Sequence, residues 1–113
     1  MELLGYRTTI RPGKAEEYAR VHARIPAAIA SALLDAGVIS WRIWADDHTL
    51  FHTIETTHGR EAMSAAMAKL GPIDPLWDEL IATLIESAPS SQKILPLVWE
   101  LTRDGQSSGP AQP

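Results

Sequence analysis

Two side chains suited to proton transfer and hydrogen bonding stand four residues apart near the start of the chain. Tyr18 and His22 lie in the segment EEYARVHARIP, residues 16–26, whose apolar spacing predicts a helix. Residues at i and i+4 share one face of a helix, so the phenol and the imidazole should lie side by side. An imidazole titrates near ~6.5 and can give or take a proton at neutral pH. A phenol can hydrogen-bond a hydroxylated ligand.

A structural role for His22 stays open as well, because the histidine belongs to the apolar stripe of its helix. In that role it would be a core residue whose ring hydrogen-bonds a backbone carbonyl. Spacing alone does not separate the two interpretations. The stripe recurs with a period near 3.6 residues and comprises Ala15, Tyr18, His22, Ile25, Ile29, Ala32 and Leu33.

The remaining histidines do not predict a metal site. His48 and His52 have the spacing H-x3-H, but they fall on a hairpin turn and the strand that follows it. Four strand residues span roughly 13 Å, whereas zinc–nitrogen bonds measure ~2.0–2.1 Å. We therefore expect no metal, and we expect His52 to face solvent or to fill a polar gap in the sheet. His58 is expected at the start of a helix.

Four tryptophans are many for 113 residues, and two of them are candidates for a ligand pocket. Trp41 lies in a predicted strand and Trp77 in the apolar stripe of a predicted helix, so both also fit simple packing. Aromatic rings with a few placed polar groups are the usual lining of a small-ligand site. GxGxxG, P-loop, G-x-S-x-G and HExxH motifs are absent, as is cysteine. The chemistry left is cofactor-free proton transfer, or ligand binding without catalysis.

Composition limits the class of protein. A length of 113 residues with 45% hydrophobic and 21% charged residues predicts one globular domain. The net charge of −4 argues against a nucleic-acid binder, which normally carries a basic patch. No apolar run approaches the ~18 residues of a membrane span, and no secretory signal is recognised. We expect a soluble cytoplasmic protein.

The order of predicted elements is β-α-β-β-α-α-β. It predicts an α+β, ferredoxin-like βαββαβ fold with an extra short helix, helices on one face of an antiparallel sheet, and one domain over residues 1–101. Pro26 should kink the first helix, and Pro96 should lie at a sheet edge or bulge. The predicted strands are 3–10, 38–45, 50–56 and 92–101, the helices are 14–36, 57–71 and 74–87, and residues 102–113 are a disordered tail.

Apolar residues occupy both faces of the predicted sheet. Strict alternation puts Trp41 and Ile43 on one face, and Val38 and Trp44 on the other. Helices cover only one face, and a bare apolar sheet face in a small domain usually meets a partner. We therefore expect a homodimer packed through the sheets.

Three stretches together resemble the L-rhamnose mutarotase family. They are P-G-x-x-E-E-Y-x-x-x-H at residues 12–22, L-x-x-A-G-V-x-x-W-x-I-W at 33–44 and L-F-H-T-I-E at 50–55. The resemblance covers about residues 3–101, and the tyrosine–histidine pair is its most specific part. It implies a ferredoxin-like subunit that pairs into a dimeric α/β barrel. It also implies an enzyme that interconverts the α and β anomers of a deoxyhexose without metal or cofactor.

The resemblance assigns roles to four residues. His22 is the general acid and Tyr18 binds substrate, while Trp41 stands where the family has a sugar-contacting tyrosine. Trp77 matches the second of a tryptophan pair. Three departures touch the expected sugar pocket: Trp41 replaces the phenol, Leu76 replaces the first tryptophan, and RIPAAI at residues 24–29 differs from the family's Trp-Pro-containing stretch.

Two other classes remain open beside sugar mutarotation. One is a cofactor-free oxygenase of the dimeric α/β-barrel type, which would consume dissolved oxygen with a quinol or polyketide substrate. The other is a domain that binds a small ligand without catalysis. The Tyr18–His22 pair favours the mutarotase.

Overall fold

Four antiparallel strands and four α-helices form the body of the protein in a computed structural model that describes residues 1–108. The elements are β1 Glu2–Thr9, α1 Ala15–Val21, α2 Ala27–Asp35, β2 Val38–Asp46, β3 Thr49–Thr56, α3 Arg60–Leu70, α4 Pro75–Ala82, β4 Lys93–Leu95, β5 Trp99–Thr102 and β6 Gly105–Ser108. The four-stranded sheet has the order β2-β3-β1-β4. This confirms the predicted α+β, ferredoxin-like architecture with an antiparallel sheet.

The core lies between the sheet and the helices, in two apolar clusters joined by β3. One cluster contains Ile10, Tyr18, Leu50 and Leu84. The other contains Ala36, Val38, Ile54 and Met63. Successive strand residues point to opposite faces, so Leu50, His52 and Ile54 all point toward the helices. A histidine therefore sits between the two clusters, and it is 7% exposed.

The predicted single helix over residues 14–36 is wrong, because the chain forms two helices. α1 ends at Val21, and α2 begins at Ala27 after Pro26, whose ψ of 136° is extended. Proline lacks the amide hydrogen that would bond the carbonyl of His22, and it disfavours helical backbone at Ile25 before it. A break over residues 22–26 replaces the expected kink.

Val38 lies on the helix side of the sheet, and the prediction that it shares a face with Trp44 is wrong. The pairing of β2 with β3 shifts by one residue between Val38 and Ser40. This bulge turns Val38 inward, where it is buried beside Ile54. Trp44, directly opposite Phe51 in the ladder, points to the open face of the sheet.

The C-terminal part of the chain differs most from expectation. The predicted strand 92–101 is split at Pro96 into β4, at the sheet edge, and β5. The prediction of a disordered tail is wrong for residues 102–108, because β5 and β6 pair as a hairpin around the Arg103-Asp104 turn. The Trp99 indole nitrogen donates to the Gln106 side chain at 3.1 Å. Residues 109–113 lie outside the described part.

α4 is shorter than the predicted helix over residues 74–87. It ends at Ala82, whose carbonyl accepts two hydrogen bonds from the Arg11 side chain, at 3.2 and 3.1 Å. Beyond the helix, Leu84 enters the core and Ile85 pairs with Ile10 as an isolated β-bridge. The end of α4 is thereby tied to the end of β1.

Leu84→Ala should lower the free energy of unfolding by about 2–5 kcal/mol, because its fully buried side chain fills the cluster beneath Tyr18. Leu76→Ala is the matched control, since Leu76 is 78% exposed on α4 and the change should stay within about 0.5 kcal/mol. Urea denaturation followed by tryptophan fluorescence measures both. Equal effects of the two substitutions would contradict the described core.

Candidate functional site

A two-lobed cleft opens between the first two helices and the sheet. One lobe has a volume of about 480 Å³ and the other about 360 Å³, and both are lined by His22, Ile25, Trp41 and Ile43. We call the two lobes together the His22 cleft. The first lobe adds Ile10, Ala15, Tyr18, Ala19, Ala23, Ala45 and Leu50, and the second adds Ile29, Leu33 and Trp77.

His22 stands where the two lobes meet because α1 ends at it. Its backbone N–H donates to the carbonyl of Tyr18 at 2.8 Å, which closes the last turn of the helix. Its ring stacks on Tyr18, with ring centres 5.1 Å apart and planes at 24°. Trp77 lies on α4, and its ring centre is 5.8 Å from that of the imidazole. Stacking and the fixed backbone hold the imidazole in the cleft wall.

The His22 imidazole is neutral at rest. Burial in the cleft wall lowers the pKa of His22 from its ordinary value of 6.5, and a contact with its own backbone acts weakly in the opposite direction. A neutral imidazole offers one N–H donor and one acceptor nitrogen. No other side chain among residues 1–108 hydrogen-bonds the ring, and no buried side-chain polar atom there lacks a partner. One ring nitrogen is hydrogen-bonded to the residue's own backbone, and the other is available to a ligand.

Tyr18 combines a buried ring with an uncommitted hydroxyl. The residue is 7% exposed and packs in the cluster of Ile10, Leu50 and Leu84. Burial, with a smaller contribution from Tyr6, raises the pKa of Tyr18 to about 12. The hydroxyl is hydrogen-bonded to no other described residue, and Tyr18 lines the first lobe. Across the ordinary pH range it remains protonated and able to donate.

Trp41, on β2, lines both lobes, and its indole N–H is hydrogen-bonded on the side that faces the sheet. The nitrogen donates to Nδ1 of His52 at 3.0 Å, and Nε2 of His52 lies 3.0 Å from the hydroxyl of Thr8. Burial, and then the nearby His22, lower the pKa of His52 to about 4. Of the two expectations for His52, solvent exposure and filling a polar gap in the sheet, the structure has the second.

His52 was not predicted as part of the site, although the sequence contains a signal for its burial. In LFHTIET, residues 50–56, the histidine alternates with Leu50 and Ile54, which places all three on the buried face. A buried histidine needs hydrogen-bond partners, and the adjacent strands β1 and β2 supply Thr8 and Trp41.

Trp77 closes the second lobe, whereas Leu76 beside it does not. α4 is capped by the Asp74 carboxylate, which accepts from the backbone N–H of Trp77 at 3.1 Å. This fixes the start of the helix so that the indole faces His22. Leu76, where the resemblance leads us to expect a tryptophan, is exposed to solvent and lines neither lobe.

The other histidines stand apart from the cleft. His48 accepts a hydrogen bond from the backbone N–H of Gly13 at 3.4 Å and lies 3.4 Å from the Asp47 carboxylate. Nowhere in residues 1–108 do three histidine or carboxylate side chains come together as metal ligands. Over the same residues, no helix has the length and apolar character needed to cross a bilayer.

The sequence is similar to those of L-rhamnose mutarotases. The model of the L-rhamnose mutarotase family matches residues 4–102. An L-rhamnose mutarotase of Paraburkholderia xenovorans is 32% identical over 102 residues, covering 86% of this chain and 94% of that protein. One from Burkholderia orbicola is 31% identical over 98 residues, covering 83% and 89%.

Two solved structures share the fold. An L-rhamnose mutarotase of Formosa agariphila aligns with a TM-score of 0.61 at 18% identity, covering 84% of this chain and 93% of that one. Tetracenomycin F2 cyclase of Streptomyces glaucescens, a type-II polyketide cyclase, aligns with a TM-score of 0.55 at 17% identity, covering 99% and 96%. At these identities the likeness concerns architecture alone. The family match over almost the whole domain, together with curated relatives above 30% identity, shows that the chain belongs to the L-rhamnose mutarotase family.

Proposed function

We propose that the protein is a cytoplasmic mutarotase that interconverts the α and β anomers of a deoxyhexose such as L-rhamnose, with His22 as the proton-transfer catalyst. The observation that carries the proposal is an imidazole with one nitrogen free for a ligand, stacked on a phenol in an open cleft. Family membership supports the substrate class. The volume of about 480 Å³ lies within the usual range for small-ligand sites.

The reaction requires two proton movements in each direction. On ring opening, the anomeric hydroxyl loses a proton and the ring oxygen gains one. The free aldehyde then rotates about its C1–C2 bond, and the ring recloses on the other face of the carbonyl. Closure reverses both proton movements, so the two anomers interconvert without any net change in protonation.

Neutral His22 can act as the base that deprotonates the anomeric hydroxyl, and its conjugate acid can protonate the carbonyl oxygen when the ring closes. The unprotonated nitrogen takes the proton from the anomeric hydroxyl, and the imidazolium returns it to the carbonyl oxygen during closure. That second step is the general-acid role which the family resemblance assigns. Tyr18, or a water bonded to its hydroxyl, gives and recovers the proton of the ring oxygen. Such positioned proton transfer contributes on the order of 10²–10⁴-fold to the rate.

His22→Ala should lower kcat/KM for anomer exchange by about 10²–10⁴-fold, because no other described side chain of the cleft titrates near neutrality. NMR exchange spectroscopy on equilibrated L-rhamnose, corrected for the uncatalysed rate, measures it. His48→Ala removes a histidine outside the cleft and should keep the parent rate. If His22→Ala exchanges the anomers as fast as the parent, His22 is not the catalyst.

The dependence of kcat/KM on pH should show one acid limb and no alkaline limb through pH 9. The base form of His22 is required, and burial lowers its pKa below 6.5, so activity is complete above that pH and falls as His22 protonates. Tyr18, with a pKa of about 12, stays protonated over this range. NMR exchange measurements from pH 4.5 to 9 test this. If kcat/KM rises only above pH 7, the His22 imidazole is not neutral at that pH and the prediction is wrong.

A second candidate is a cofactor-free oxygenase or a binding domain for an aromatic ligand. The observation in its favour is that most residues lining the cleft are aliphatic or aromatic. Oxygen consumption in the presence of a quinol would support the oxygenase. Ligand binding without anomer exchange would support the binding domain.

We infer that two copies pair through the open faces of their sheets. Trp44 is 54% exposed there, opposite the partly exposed Phe51, and Leu3 adds a third large apolar side chain. The β5–β6 hairpin also exposes Trp99 and Leu101. A monomer would leave this carbon surface in water, and a second copy of the same face would cover it.

Light scattering coupled to gel filtration should give twice the 12.4-kDa mass of one chain. Trp44→Glu should shift the mass toward one chain, because a carboxylate would be buried in the paired faces. Leu76→Glu, at an exposed site on α4, is the control and should leave the mass unchanged. A monomeric parent would refute this pairing without affecting the role of His22.

A further inference from the structure

We propose that His52 is a positioning residue that makes Trp41 an entirely apolar wall of the His22 cleft, and that this wall selects a deoxy carbon of the sugar over a hydroxylated one. The proposal rests on the mutarotase function proposed above. It concerns a residue, His52, that lines neither lobe. Its effect on the ligand passes through the ring of Trp41.

The hydrogen bonds around His52 determine its tautomer. An indole N–H can only donate, so Nδ1 of His52, 3.0 Å from it, must be unprotonated. In a neutral imidazole the proton is then on Nε2, which donates to the hydroxyl oxygen of Thr8 at 3.0 Å. The two hydrogen bonds, from Trp41 to His52 and from His52 to Thr8, therefore run in the same direction across three strands. Each donor and acceptor in them is one that its side chain can provide.

The surroundings of His52 keep this arrangement fixed. Its ring lies 4.7 Å from that of Tyr6, and the residue is 7% exposed between the two core clusters. A pKa of about 4 keeps the ring neutral at physiological pH. Protonation would turn Nδ1 into a donor facing the donor of Trp41, so the hydrogen bond and the neutral state support each other.

The consequence for the cleft follows from the chemistry of indole. Trp41 has one polar atom, and that atom is committed to His52 on the sheet side. Every atom that Trp41 leaves for a ligand is therefore carbon. Its neighbours in both lobes, Ile25 and Ile43, offer only carbon as well. A sugar hydroxyl placed against this wall loses its bonds to water and gains none, whereas a methyl group loses nothing.

The test compares L-rhamnose with L-mannose, which carries a hydroxyl on the carbon that rhamnose leaves as methyl. The parent should exchange L-rhamnose with a kcat/KM about 10–100-fold higher, the discrimination that a carbon-lined pocket gives against one added hydroxyl. Trp41→Tyr, which returns a phenol to the wall, should narrow that ratio. His52→Leu should narrow it too and should change KM more than kcat, because the proton donors are untouched.

His52→Gln separates positioning from mere filling of space. A glutamine retains one acceptor and one donor, so it can hold the indole and Thr8 together and should keep most of the parent's preference. His48→Gln is the control outside the site and should behave as the parent does. Equal sugar preference in the parent, His52→Leu and Trp41→Tyr would overturn the proposal.

The indole proton of Trp41 reports the hydrogen bond independently of activity. In a ¹H–¹⁵N correlation spectrum it is the resonance lost in Trp41→Phe, and a bond to an imidazole nitrogen should shift it downfield of the other indoles. His52→Leu should move it upfield, and His52→Gln should restore part of the shift. A resonance that is the same in the parent and His52→Leu would show that His52 does not hold the ring.

The outcomes distinguish the two proposals. If the parent exchanges neither sugar while the indole resonance behaves as expected, the mutarotase function and the sugar preference fail and the positioning of Trp41 stands. If exchange is catalysed but the ratio of kcat/KM for the two sugars is the same in the parent and in the variants at positions 41 and 52, only the proposed sugar selectivity fails. If His52→Leu does not fold, two other measurements test the proposal. They are the ratio of kcat/KM for the two sugars in Trp41→Tyr and the indole resonance of Trp41 in His52→Gln.

Discussion

The missing amide hydrogen of Pro26 is the constraint on which the cleft depends. Because the carbonyl of His22 has no donor one turn ahead, α1 stops and α2 starts separately at Ala27. α1 lines the first lobe of the His22 cleft and α2 the second. His22 and Ile25, in the connecting segment, line both. A continuous helix would have carried the imidazole within one unbroken apolar stripe.

Two imidazoles in one small domain, His22 half-buried and His52 buried, acquire different roles from their surroundings. Desolvation lowers the pKa of both, and for His52 it does so to about 4. His52 has a partner at each nitrogen and is enclosed by the core, so its proton has no path to a ligand. His22 is stacked on Tyr18 with one nitrogen bonded only to its own backbone and the other uncommitted beside open space. Hydrogen-bond partners, rather than the residue type, separate the fixed histidine from the reactive one.

Much of the fold could be predicted because it follows from periodicity and from strong local signals. The order of strands and helices, the hairpin turn at Asp47-His48 and the cap of α4 at Asp74 all follow from patterns read over a few residues. The neighbouring positions of Tyr18 and His22 follow from the i, i+4 rule for the same reason. These features depend little on the rest of the molecule.

What could not be predicted depends on pairing between distant segments. The bulge that turns Val38 inward is visible only in the register against β3. The second strand of the β5–β6 hairpin contains no large apolar residue, so hydrophobic patterning gave no signal for it. The partners of His52 come from two other strands, and only the sheet order brings them together.

Positions 41 and 52 are physically linked, although they stand on different strands. In the ladder Trp41 pairs with Ile54 and Ile43 with His52, so Trp41 and His52 are diagonal neighbours, within reach of long or aromatic side chains. Trp41 is 37% exposed, but its indole N–H is turned toward the sheet, where a donor without an acceptor would cost about 1–3 kcal/mol. His52 on the next strand supplies that acceptor and so favours this orientation of the indole. It follows that the polarity of the cleft wall is set from inside the sheet, by a side chain that no ligand touches.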